Sequence, residues 1–222
     1  MIIGIPHYND FEGLKECIQS LYNSSELSLD TKIIVVNGDE TYNKRIENYV
    51  SGEVINMRTS GPLEAYNKLF DISKERKEDL FLTQTDVYFP KCKKDWLAEI
   101  KEISKRPNCG MITCWGGGGI SGTDFIDGFP WIGAWFVYIP YKIVERVGAF
   151  DENIPLGFGV DIDYTYAVQQ AGFINCMIDY WVQHMPNYEK NHQHEKVNNI
   201  EELKKEAYRY MREKWEVGEY KI

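Results

Sequence analysis

The chain has 222 residues, 43% hydrophobic and 27% charged, which fits one large soluble domain with a real core rather than a disordered segment. Its formal charge of −9 argues against nucleic acid as the main partner, because phosphate-backbone binding needs clustered Lys and Arg. No run reaches the ~18 apolar residues of a membrane span, and the opening "MIIGIPHYND" lacks the basic start and length of a signal peptide, so a cytoplasmic location is expected.

Five cysteines (17, 92, 109, 114 and 176) are odd in number, scattered and never in Cys-x-x-Cys. That spacing suits neither a zinc site nor a disulfide framework. The basic run Lys91-Cys92-Lys93-Lys94 is short and reads as solvated surface. The aromatic share of 14%, with 15 Tyr and 6 Trp, fits a ring-stacking ligand but is equally consumed by cores.

In chain order, "IIGI" (2–5) reads as a buried strand ended by Pro6. A helix follows, with Leu14, Cys17, Ile18 and Leu21 at helical spacing and Asp10 or Asn9 placed to cap it. "KIIVV" (32–36) is a second strand running into "NGDE", and a weak helix over 42–50 leads to a third strand, 53–57. Pro62 suits the first turn of a helix, and 79–84 makes a fourth strand. This β-α-β-α-β-α-β order predicts an α/β domain with a mostly parallel sheet, whose ligand lies beyond the carboxyl ends of the strands. The turns "PHYND", "NGDE" and "QTD" share that rim.

The second half predicts a helix over 94–104, a strand over 110–115, a Gly-rich loop (116–129) and a long strand over 130–140. A short helix (141–147), a helix ending near Ala171, a strand over 175–184 and a C-terminal helix over about 199–215 complete the chain. That last helix could dock on the domain, a partner chain or a membrane surface, the domain being the default.

Several residues could carry chemistry. Asp86 ends the fourth strand. Asp161 and Asp163 open a helix behind Gly157 and Gly159; one acid there is ordinary capping, and a second, partly desolvated, could serve as general base. His184 closes the last strand, either as a metal ligand or as a satisfied surface group. His7 lies in the first rim turn, and His192 and His194 fall in a solvated segment. Trp115, Phe125, Trp131 and Trp135 flank the Gly-rich run and either stack on a sugar or pack the sheet. No G-x-G-x-x-G, no P-loop and no G-x-S-x-G is present.

The order of motifs resembles the family 2 glycosyltransferases, which have the GT-A fold. "IGIPHYND" is similar to that family's opening strand and turn, "IIVVNGDE" to its second strand, and "SGPLEAYNKLFD" to its Gly-plus-Asn helix. "DLFLTQTDVYFP" stands where the family carries Asp-x-Asp, and "VGAFDENIPLGFGVDIDYTYAVQQAGF" resembles its Gly-x-Phe-Asp-Glu segment and acidic helix start. The likeness spans residues 1 to 184. Two departures stand out: Gln84 replaces the first Asp of the triplet, and Val160 replaces the Glu before Asp161.

The resemblance implies a single GT-A domain with a nucleotide-binding half (1–90), an acceptor-binding and catalytic half (91–184) and a polar tail (185–222). It implies an inverting, metal-dependent hexosyltransferase using a nucleotide-sugar donor, a UDP-sugar favoured, and a carbohydrate-type acceptor. Asp161 would be the base and Asp163 its support. Asp86 and His184 would bind Mn2+ or Mg2+. Pro6, His7, Tyr8, Asn37, Asp39, Asn67, Thr85 and Asp86 would line the donor nucleotide, and Gln84, Trp131 and Trp135 the sugar or acceptor. A non-catalytic GT-A protein holding a nucleotide or glycan is the alternative, favoured by Gln84 and Val160. A nucleotidyltransferase fits less well, since strand one lacks a Gly-rich triphosphate loop.

Overall fold

The structure is a computed structural model that describes residues 1–38, 44–58, 61–91, 95–116, 131–184 and 199–216. Asp39, Phe125, His192, His194 and nearly all of the Gly-rich run lie outside the described residues, as does the side chain of Trp115.

The first half alternates β1 (Ile2–His7), α1 (Phe11–Ser24), β2 (Lys32–Asn37), α2 (Lys44–Tyr49), β3 (Glu53–Asn56), α3 (Pro62–Arg76) and β4 (Leu80–Thr83). Asp10 caps α1, its Oδ1 accepting from the Gly13 N–H at 3.2 Å, and Pro62 stands in the first turn of α3. Strand β1 continues through Pro6 to His7, beyond the expected stop. The reason is local. The His7 carbonyl accepts from Gly38 on the β2 side, so alternation turns Pro6 toward β4, whose pairing with β1 ends at Gly4. The missing proline N–H therefore forfeits no ladder bond.

Then come β5 (Val87–Tyr88), α4 (Trp96–Ser104), β6 (Cys109–Gly116), β7 (Phe136–Ile139), α5 (Tyr141–Val147), a 3-10 turn (Pro155–Gly157), α6 (Val160–Gln170), β8 (Ile174–His184) and α7 (Ile200–Trp215). The sheet runs β3-β2-β1-β4-β7-β6-β8-β5. β1, β2, β3 and β4 are parallel, as are β6 and β8, while β7 inserts antiparallel between β4 and β6. β5 pairs antiparallel with β8 at the edge.

Two expectations need correcting. The strand expected over 130–140 is reduced to 136–139, because the Ile132 N–H donates to Thr165 Oγ1 of α6 (3.1 Å) instead of joining a ladder. The two-residue β5 was not anticipated.

Alternation along the strands sorts the core into two layers. Ile3, Ile5, Ile33, Val35 and Phe81 meet α1 and α4 on one face, where Trp96 stacks on Phe89 and Tyr180. Ile2, Ile34, Val36 and Leu82 meet α3, α5 and α6 on the other. Ala207 and Met211 of α7 are fully buried in that second layer, so the C-terminal helix docks on the domain itself. No described helix is long and apolar enough to cross a membrane.

Candidate active site

The rim formed by the carboxyl ends of β1, β2 and β4 gathers most of the polar residues singled out above. Beyond β4 the chain turns at once, the Val87 N–H donating to the Gln84 carbonyl at 3.3 Å, which leaves Thr85 and Asp86 at the corner. From the next residue β5 pairs with β8, and its register sets Val87 opposite His184. That register brings Asp86 Oδ2 to 3.4 Å from His184 Nε2, with both side chains largely shielded (11% and 20% exposed). Trp135 lies flat on the imidazole, ring centroids 5.3 Å apart and 7° from parallel. A Cβ on Gly133 would stand 2.2 Å from Trp135 Nε1, so the indole can fold back to this position only over a glycine.

The same segment reaches Asp161. The Ala134 and Ile162 backbone amides turn toward the Asp161 carboxylate, and Thr165 Oγ1, which receives the Ile132 N–H, donates in turn to the Asp161 carbonyl at 2.6 Å. Burial outweighs the amides and pushes this carboxyl up to about 6. A carboxylate with that proton affinity is poised to accept a proton near neutral pH. Asp161 is not the N-cap of its helix: Gly159 stands there with φ +79° and no capping side chain.

Tyr66 of α3 lies within electrostatic reach of both acids. Its hydroxyl accepts a hydrogen bond from Gln84 Nε2, and burial, reinforced by the charges of both Asp86 and Asp161, raises its proton affinity well above the usual phenol. Gln84 is thus a neutral donor on a tyrosine that holds its proton tightly. Sequence reasoning missed Tyr66. An aromatic on the buried stripe of a helix reads as core, and its only signal is its place beside Asn67.

The β1–β2 end forms a second, adjoining group. His7 Nδ1 donates to Asn37 Oδ1 (2.9 Å) while His7 Nε2 accepts the Asp10 N–H (3.3 Å), and Asn37 Nδ2 donates to Asn56 Oδ1 (2.8 Å). Those roles fix the neutral tautomer of a buried ring. Pro6 is internal to β1, whereas the Tyr8 ring is 41% exposed just past its end.

Two other residues serve the scaffold. Asn67 is buried, donating to the Phe150 carbonyl (3.0 Å) and to Glu152 (3.1 Å) and accepting the Phe150 N–H (3.1 Å). Asp163 accepts from Lys214 Nζ (2.8 Å) and Trp215 Nε1 (2.7 Å) of α7. Trp131 is half-buried at the start of the 131–135 segment.

Asp86 and His184 supply one oxygen and one nitrogen donor. Among the described residues no group of three His, Cys, Asp or Glu gathers that could hold a metal ion on protein ligands alone. A hard divalent cation that keeps waters and phosphate oxygens fits such a sparse donor pair, whereas a structural zinc site does not.

This α/β architecture, a mostly parallel sheet with β7 inserted antiparallel, matches the GT-A fold. Among solved structures, the chain is similar to the mannosyltransferase PcManGT from Pyrobaculum calidifontis in complex with GDP-Man and Mn2+, with TM-score 0.63 and 12% identity, covering 96% of this chain and 70% of that one. It is similar to GalNAc-T7 with UDP, GalNAc and Mn2+, with TM-score 0.67 and 12% identity, covering 99% of this chain and 55% of that one. S. aureus TarS in complex with UDP-GlcNAc gives TM-score 0.59 and 13% identity, covering 82% of this chain and 58% of that one. No protein-family model and no curated protein sequence matches the chain.

Proposed function

We propose that the chain is an inverting glycosyltransferase that moves a sugar from a nucleotide-diphosphate-sugar to an acceptor hydroxyl, using Mn2+ or Mg2+. The observation that carries this reading is the pairing of Asp86 with His184 beside Trp135, one residue from Ala134, whose amide faces Asp161. One short segment spans a cation-holding pair and a carboxylate with a raised proton affinity. The likeness to proteins solved with GDP-Man, UDP and UDP-GlcNAc supports a nucleotide-sugar donor, and a UDP-sugar is our favoured choice.

In this reading the exposed Tyr8 ring, over the rigid His7–Asn37–Asn56 chain, receives the nucleoside. Asp86 and His184 would hold the divalent ion, whose positive charge would favour departure of the diphosphate. Thr85 lies on the donor side, and Gln84, Trp131 and Trp135 border the sugar and acceptor. Asp161 takes the proton of the acceptor hydroxyl as its oxygen bonds to the anomeric carbon and the carbon–diphosphate bond breaks on the opposite face. Tyr66, whose burial raises its proton affinity, is a neutral hydroxyl that can donate within reach of both acids.

The test is a calorimetric titration of UDP and GDP, with and without Mn2+, on the native chain and on Asp86→Ala. The native chain should bind one nucleotide in a Mn2+-dependent manner, and Asp86→Ala should lose that dependence. Identical titrations of the two proteins would overturn the assignment.

A further inference from the structure

We infer that the C-terminal helix is a working part of this site: Lys214 and Trp215, through Asp163, position the helical turn that carries Asp161. The inference rests on the proposed role of Asp161 as base, and it assigns Lys214 and Trp215 as positioning residues.

The argument starts from a missing device. Helix α6 opens on Gly159 in the left-handed region, and this N-cap residue has no side chain to cap the turn, which leaves Thr165 and Asp161 as the internal ties of its first turn. A further tie comes from outside the helix. Asp163 is only 3% exposed, and a carboxylate so far from water must be met by donors. Lys214 Nζ and Trp215 Nε1 meet it at 2.8 and 2.7 Å. Lys214 also reaches Asp151 Oδ2 at 2.7 Å, where the Tyr210 hydroxyl donates at 2.8 Å.

Packing follows the same line. The Trp215 indole meets Tyr166 edge to face at 4.8 Å, Met211 Cε lies 2.8 Å from where a Cβ on Gly159 would stand, and Lys204 sits over the Phe158 ring at 5.4 Å. Helix α7 therefore covers the chain from 158 to 166, the stretch that includes Asp161. A second strand of the network leaves Asp151: its neighbours Phe150 and Glu152 are bound by Asn67, next to the Tyr66 that holds Gln84. One turn of α7 is thus linked to both sides of the site.

Release of the clamp would draw Asp163 toward water and move the turn on which Asp161 stands, and an ångström of misplacement at a reacting group costs on the order of a hundredfold in rate. The test compares full-length Trp215→Phe and Lys214→Met with the native chain by hydrogen exchange and by turnover. Trp215→Phe keeps an aromatic ring against Tyr166 and removes only the donor, so it guards against simple unfolding. In both variants the Ile162 and Asp163 amides should exchange at least tenfold faster, with β1 and β2 amides unchanged. Turnover should fall at least tenfold while Mn2+-dependent UDP or GDP affinity stays within twofold.

Unchanged exchange at Ile162 and Asp163 in both variants overturns the clamp, whatever the activity. Faster exchange with native turnover overturns the positioning role. If the native chain turns over no donor, the proposed function falls instead, and the exchange data still decide the clamp.

Discussion

Asp86 Oδ2 and His184 Nε2 lie 3.4 Å apart because a strand of two residues, β5, pairs with the end of β8 in one register. A slip of one residue would turn His184 to the other face of the sheet, so a small edge strand decides whether the two donors meet. If they act as one unit on one ion, their losses should not add. We expect Asp86→Ala and His184→Ala each to weaken Mn2+-dependent nucleotide binding at least tenfold, and the double variant to be close to the worse single one. Calorimetry on the three variants checks this; losses that multiply would mean two independent sites.

Gly133 is the concealed requirement behind that pair. An added methyl group would stand 2.2 Å from Trp135 Nε1, and an indole locked in stacking on His184 cannot give way without leaving the imidazole. Gly133→Ala should therefore weaken Mn2+-dependent nucleotide binding by about tenfold, or ~1.4 kcal/mol, while far-ultraviolet dichroism stays native. Native affinity in this variant would show that the indole does not hold His184 in place.

The proton affinity of Asp161 makes a thermodynamic prediction with a definite sign. Its carboxyl rises from 3.8 to about 6 on folding, chiefly by burial, so the folded chain binds this proton more tightly than the unfolded one. Ionising the group between pH 4 and 6 therefore costs stability, and the cost persists above that window. Asp161→Asn, which cannot ionise, should be more stable than the native chain by up to about 3 kcal/mol at pH 8, with the gain vanishing below pH 4. Urea unfolding at the two pH values reads it, and an equal difference at both would contradict the burial of the charge.

Asp151 predicts the opposite sign in a lower window. Burial pushes its carboxyl upward, but the Lys214 ammonium, the Asn153 groups and the Tyr210 hydroxyl together outweigh it and hold the acid at about 2, below its ordinary 3.8. A depressed value stabilises the fold above pH 4, and that stability is lost as the pH falls toward 2. The native chain should exceed Asp151→Asn by about 2 kcal/mol at pH 6 and lose the advantage near pH 2. Thermal unfolding against pH for both proteins is the measurement, and parallel curves would mean that the carboxylate charge does not hold α7.

Much of the fold was legible because local chemistry and tertiary demand agreed. The strands 2–5, 32–36 and 79–84 are apolar runs that the sheet buries, Asp10 caps as its position suggests, and Pro62 opens α3. What stayed hidden depends on distant partners. The 132–135 turn looks like strand until Thr165 takes the Ile132 amide, and β5 is too short to carry a period. Asp163 reads as a helix-start acid, and nothing near it in sequence announces Lys214 and Trp215, some fifty positions away. The bonds of Asn67 to the Phe150 backbone, eighty-three positions away, are likewise unannounced by its neighbours in sequence.

The most direct measurement is release of nucleoside diphosphate from a panel of UDP- and GDP-sugars in Mn2+, by the native chain and by Asp161→Asn. Transfer to water is slow where a cognate acceptor is absent, but it needs the same base and the same leaving group. The predicted result is slow, Mn2+-dependent release from one donor by the native chain, abolished in Asp161→Asn although that variant still binds the donor. Release at equal rates by both proteins, or by neither from any donor, would contradict it.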